Sequence, residues 1–189
     1  TGFWRSEESP ANFVCLSITD EDPARTDEEK TACWYWTTPG GYYWAGAYAC
    51  EDYVLVGTDD GADGSKSMTG SLLMLDAKTG RLLDKWDGLC GDVRSTICYD
   101  KAKGGWFCSV KTGKTSDGWQ LRTGSKWTLK LENGTSTAQA MSTSTPVVYN
   151  GRAYIGVRGT AQFSEYGGHS LTVVDLASHT IAYRVQTQG

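Results

Sequence analysis

The feature that most limits how this chain can fold is the stretch Leu72 to Trp86. An apolar run closes on Asp76, a turn follows over Ala77-Lys78-Thr79-Gly80, and a second run ends on Trp86. A carboxylate in that place can accept hydrogen bonds from the turn amides behind it, and a glycine can take the positive φ that reverses the chain. The stretch therefore predicts a β-hairpin. It recurs: Leu171-Thr172-Val173-Val174-Asp175 leads through a turn to Tyr183 and Val185. The two aspartates are separated by 175 − 76 = 99 residues, and Trp36 and Trp86 by 86 − 36 = 50. A four-stranded unit repeated at about 40–50 residues is the signature of β-propeller blades.

On that period the chain is expected to be all-β, a partial β-propeller of about three four-stranded antiparallel blades plus the outer half of a fourth. The divisions are 1–38 for the partial blade and 39–88, 89–134 and 135–189 for the others, all in a single propeller segment. Asn12 to Asp20 is expected as a strand with Phe13, Cys15 and Ser17 on one face and Val14, Leu16 and Ile18 on the other, ending on an Asp as the run before Asp76 does. An acidic loop (Glu21 to Lys30) and a strand around Trp34 and Trp36 complete that hairpin. In the next unit Tyr42 to Cys50 reads as a strand and Tyr53 to Val56 as one buried on both faces. The middle unit spells the same order less clearly: Val93 to Tyr99, Trp106 to Val110, Trp119 to Arg122, Lys126 to Leu131. In the last, Asn150-Gly151 between Pro146-Val147-Val148-Tyr149 and Arg152-Ala153-Tyr154-Ile155 is the strongest hairpin signal. No window sustains a helical apolar period, and a parallel β-solenoid would have a shorter repeat without two hairpins per unit.

A formal net charge of −4 with scattered Lys and Arg argues against nucleic acid as a partner, which needs a basic face. No apolar run approaches the roughly 20 residues of a membrane span, so any export signal is expected outside this segment. Six cysteines, at 15, 33, 50, 90, 98 and 108, point to an oxidising, extracellular or cell-surface location, with buried free thiols as the alternative. Neither a C-x-x-C pair nor a histidine at zinc-ligand spacing is present. Hairpin register suggests two local disulfides, Cys15 with Cys33 and Cys98 with Cys108.

Leu72 to Trp86, with its apolar-apolar-x-Leu-Asp-x-x-Thr-Gly pattern and closing Trp, and Thr145-Pro-Val-Val-Tyr-Asn-Gly-Arg-Ala-Tyr-Ile-Gly-Val157 together resemble the repeat of pyrroloquinoline-quinone-type propellers. That group contains quinoprotein alcohol dehydrogenases and non-enzymatic members such as outer-membrane assembly scaffolds and surface proteins. The dehydrogenases carry adjacent cysteines beside the quinone, a tryptophan floor and a calcium site with a catalytic Asp, and no two cysteines are adjacent here. The resemblance therefore implies a non-enzymatic member. Complete propellers of the group have six to eight blades, so either this is a piece of a longer propeller or two copies complete a ring.

Asp59, Asp60 and Asp63 with their glycines offer hard oxygens suited to calcium, against an ordinary Gly/Asp turn. The mouth of the central channel is expected to gather Tyr42, Tyr43, Trp44 and Arg94, with Ser142 and Thr143 from the last unit. Aromatics beside an Arg could form a sugar or peptide platform, against the plainer use of filling gaps between blades. His169 and His179 read as exposed turn residues, Trp36 and Trp86 as blade-to-blade packing. No catalytic set and no nucleophile elbow emerges. The function expected is a non-catalytic exported binding or scaffolding propeller with a protein or glycan partner. A fragment of a quinone-dependent oxidoreductase and a glycan-binding surface module are the alternatives. No cofactor is expected, calcium at the three aspartates being the one exception.

Overall fold

The computed structural model of the chain describes residues 11–42, 46–59, 69–91, 93–100, 105–110, 115–131, 142–160, 162–163 and 168–188. Among them there is no α-helix. A two-stranded sheet comes first, β1 (Ala11–Leu16) with β2 (Ala32–Thr38). Three four-stranded sheets follow. They comprise β3 (Tyr48–Ala49), β4 (Tyr53–Gly57), β5 (Thr69–Asp76) and β6 (Leu82–Cys90); β7 (Cys98–Asp100), β8 (Trp106–Val110), β9 (Thr115–Gln120) and β10 (Ser125–Lys130); and β11 (Val147–Tyr149), β12 (Arg152–Val157), β13 (Ser170–Asp175) and β14 (Thr180–Gln186). Each sheet runs in chain order with antiparallel neighbours. This is a partial β-propeller: the outer half of one blade, then three whole ones.

The hairpin chemistry expected of Asp76 is present, and Asp175 repeats it. Asp76 Oδ1 accepts from the amides of Lys78 (3.0 Å) and Thr79 (2.8 Å) and from the Thr79 hydroxyl (2.9 Å). Asp175 Oδ1 accepts from the amides of Ala177 (3.0 Å) and Ser178 (2.8 Å) and from the Ser178 hydroxyl (3.0 Å). These bonds favour the ionised form and hold both carboxyls below the usual range. Gly80 (φ 70°) and His179 (φ 58°) then reverse the chain at equivalent places. The 99-residue spacing extends to the pairing itself. Tyr53 faces Asp76 and Met74 faces Asp84, as Arg152 faces Asp175 and Val173 faces Tyr183, with a register shift at the same step in both. Asn150 (φ 48°) and Gly151 (φ 74°) both take the left-handed conformation that a two-residue hairpin turn requires.

The core lies between sheets, because a blade with a neighbour on each side is buried on both faces. Successive side chains of a strand point to opposite sides. Val54 and Val56 of β4 pack with Phe13 and Trp34 of the preceding sheet, while Leu55, with Leu72 of β5, meets Val93, Ile97 and Trp119 of the following one. Trp127 and Leu131 likewise meet Ala153, Ile155 and Val174. Each such aliphatic side chain removed from water contributes about 1.5–3 kcal/mol.

Several expectations need correction. β1 stops at Leu16, and Ile18 is fully exposed; Asp20 accepts from the Asp22 amide in a local turn and does not close a strand as Asp76 does. The inner strands are shorter than their apolar runs, shrinking to Tyr48–Ala49 and Cys98–Asp100 among the described residues. Trp36 and Trp86 do pack between blades, but only half-buried. The tryptophans that lock one blade to the next are Trp34 and Trp127. Trp34 lies on Gly80, where a Cβ would fall 2.6 Å from the ring, and its Nε1 donates to the Ala77 carbonyl at 3.0 Å. Trp127 stacks on His179 with ring centroids 4.5 Å apart and planes 16° from parallel. His179 is thus half-buried under an aromatic ring, where the sequence suggested an exposed turn residue.

Candidate functional site

Where the channel opens, the first strands of neighbouring sheets touch. The Tyr48 ring sits 4.9 Å from Tyr99, and the Thr96 amide donates to the Thr145 hydroxyl at 3.2 Å. On the side formed by the β4–β5 and β12–β13 connections two clefts occupy equivalent places. One, of about 370 Å³, is lined by Thr58, Asp59, Gly70, Ser71 and Gly88 among others. The other, of about 300 Å³, is lined by Val157, Arg158, His169, Ser170 and Thr187 with Ser142 and Ser144. Each residue of the first set precedes its counterpart in the second by the repeat distance, so the blades build one cleft twice with different chemistry. Asp59 marks the first; Arg158 and His169 mark the second.

Hydroxyls wall both clefts. The Ser142 and Ser144 hydroxyls donate to the Gly156 carbonyl at 2.6 and 3.1 Å, and the Gly156 amide donates back to Ser144 Oγ at 3.1 Å. Behind them Thr160, Ser170 and Thr172 form a buried ladder with 2.8 and 3.2 Å steps. In the first cleft the Ser71 amide donates to Thr58 Oγ1 (3.0 Å), and the Ser71 hydroxyl to Asp87 (2.6 Å). Hydrogen bonds from Lys85 and Ser71 lower the Asp87 carboxyl.

The residues singled out in the sequence separate. Tyr42 is 5% exposed, with its ring 5.6 Å from Phe13. Its hydroxyl is buried without a hydrogen-bond partner, and burial pushes the phenol far above its ordinary range. It fills the gap between the half blade and its neighbour. Tyr43, Trp44, Asp60 and Asp63 lie outside the described residues. Arg94 is half-buried. Asp59 pairs through its backbone with Gly41, its amide donating to the Gly41 carbonyl at 2.9 Å. Among the described residues no group of three metal-capable side chains forms.

Cys15, Cys33, Cys50 and Cys98 carry free thiols. The regular register of β1 and β2 places Trp34 opposite Cys15, where hairpin register suggested Cys33, and a register shift just beyond skips Cys33; the Cys15 thiol is raised first by burial and then by Cys33. Cys98 lies directly across from Cys108, the register expected. Sequence reasoning missed Ser144, Arg158 and Ser170; the repeat distance from Asp59 and Ser71 was the available signal for Arg158 and Ser170.

A partial β-propeller with hydroxyl-walled clefts at one mouth is the class that fold and site define. No protein-family model and no curated protein matches the chain. Among solved structures it is similar to a europium-containing methanol dehydrogenase (16% identity, TM-score 0.55, covering 76% of this chain and 24% of that one). It is similar also to a quinohemoprotein alcohol dehydrogenase from Pseudomonas putida (19% identity, TM-score 0.51, 77% and 20%). A third similar structure is BamB from Moraxella catarrhalis (14% identity, TM-score 0.49, 84% and 56%). The chain thus spans between a fifth and just over half of these proteins. At such identities the likeness extends to the fold alone.

Proposed function

We propose that this chain is part of an exported, non-catalytic β-propeller that presents a binding or scaffolding surface, extracellular or at the cell surface. One observation carries the reading. The cleft hydroxyls are committed to the fold, Ser142 and Ser144 to the Gly156 carbonyl and Ser71 to Asp87, so they brace the cleft walls and are not offered as nucleophiles. A role of this kind requires no cofactor. A protein partner fits better than a glycan, since Tyr42 is withdrawn into the core. The facing positions of Cys98 and Cys108 support oxidation of that pair after export.

The test is an absorption scan of the purified protein after incubation with pyrroloquinoline quinone and calcium, followed by dialysis. A spectrum of protein alone is expected; quinone retained at one per chain would overturn the reading in favour of an oxidoreductase.

A further inference from the structure

We infer that the groove between the outer strands of the last two blades is a binding site for an aromatic carboxylate, the ring entering between the blades and the carboxylate meeting Arg184. The groove has a volume of about 550 Å³ and is lined by Leu129 and Lys130 of β10, by Thr180, Ile181 and Arg184 of β14, and by Gln162 of the β12–β13 connection, among others. Its size falls within the range of about 300–1,000 Å³ that holds small organic ligands. Both walls are outermost strands of their sheets, so the site lies at the rim, apart from the two hydroxyl-walled clefts. It stands whether or not the scaffolding role does.

The repeat shows what this groove lacks. Trp127 on His179 repeats Trp34 on Gly80, so β10 follows β2 by 127 − 34 = 93 residues and β14 follows β6 by 179 − 80 = 99. Two positions beyond each tryptophan, Trp36 at the junction of the first two sheets becomes Leu129 at the last junction. Both pack against the core of their junction, and a smaller side chain stands where an indole stood. Ile181 repeats Leu82, which keeps the opposite wall aliphatic. Lys85 becomes Arg184, paired across from Leu73 and Thr172 at equivalent places. Lys85 holds Asp87 at 2.8 Å, and Asp87 becomes Gln186, so the carboxylate is gone as well. Alternation along the strand keeps positions 184 and 186 on one face. The first junction supplies a ring and a carboxylate from its own chain, and the last has room for both from a ligand.

Arg184 is prepared for such a ligand. Its Nη2 donates to the Leu131 carbonyl at 2.9 Å, which fixes the guanidinium in the wall of the groove. Its Nε is out of water with no hydrogen-bond partner among the described residues. A guanidinium in that state has donor capacity left in a partly dry setting, where a bond to an ionised acceptor is worth most. Lys130 adds a second cation, and no acidic side chain is among the described residues that line the groove. The charge selects an anion, and the apolar pair Leu129 and Ile181 selects one with an apolar body over a bare ion. A free aromatic acid and the C-terminal aromatic residue of a peptide share this chemistry.

The experiment is calorimetric titration of the 189-residue chain with indole-3-propionate, with its uncharged amide, and with an acetylated tripeptide ending in tryptophan with a free carboxylate. Each probe is taken to about 10 mM, so that millimolar affinities register. Binding of the acid at one site per chain is expected, weaker by about 10–100-fold for the amide and for Arg184→Gln, each of which loses a hydrogen bond to a charged group. Leu129→Trp returns the missing ring and is expected to abolish binding; Gln186→Asp returns the carboxylate and is expected to weaken it. Circular dichroism of both should match the parent. These two variants keep Arg184, so they decide the matter even where Arg184→Gln fails to fold. Whichever of the acid and the tripeptide binds tighter names the source, a free acid or a chain terminus. No binding of any probe, equal binding of acid and amide, or unchanged binding by a folded Leu129→Trp would each overturn the inference.

Discussion

Tyr42 shows how a single side chain changes meaning with its surroundings. Its ring packs against Phe13 and its hydroxyl has no partner, so the oxygen costs desolvation without a compensating bond. Tyr42→Phe is expected to leave stability equal or to raise it by up to about 1–3 kcal/mol in urea unfolding. A clear loss would mean that the hydroxyl has a use. Asp76 and Asp175 behave oppositely, since their turn amides reward the charge. Carboxyls lowered by folding contribute stability that is complete above the unfolded value near pH 3.9 and is lost as pH falls through the folded values. The double Asp76→Asn, Asp175→Asn variant should therefore melt below the parent at neutral pH and converge with it in acid, which melting temperature against pH would record.

At the scale of strands and hairpins, the blade junctions differ in kind. Trp34 on Gly80 and Trp127 on His179 are buried aromatic contacts. At the middle junction the equivalent position is Asp84, whose neighbour Lys126 lies 3.9 Å away, and a Cβ at Gly124 would meet nothing within 4 Å. Trp34→Ala and Trp127→Ala are each expected to cost about 3–5 kcal/mol, and Trp36→Ala less because it is only half-buried. Equal losses in chemical denaturation would refute the distinction. The Asn150-Gly151 hairpin offers a local test: Asn150→Ala is expected to lose roughly 1–2 kcal/mol for its left-handed conformation, and Asn150→Gly to be close to neutral.

For the whole molecule, three hydrophobic clusters between successive sheets join the four sheets in chain order. The hairpins, their Asp-closed turns and the four-fold repetition were legible in the amino-acid sequence. Period-two patterning and turn chemistry act between residues a few positions apart, and the 99-residue echo repeats the same turn bonds and the same register. The tertiary structure alone decided that Tyr42 is core, that Trp34 and not Trp36 docks on the next blade, that Trp34 and not Cys33 stands opposite Cys15, and that Arg158 and His169 share a cleft. Those outcomes depend on which sheet lies against which face, and a packing partner dozens of residues away leaves no periodic mark on the segment it covers.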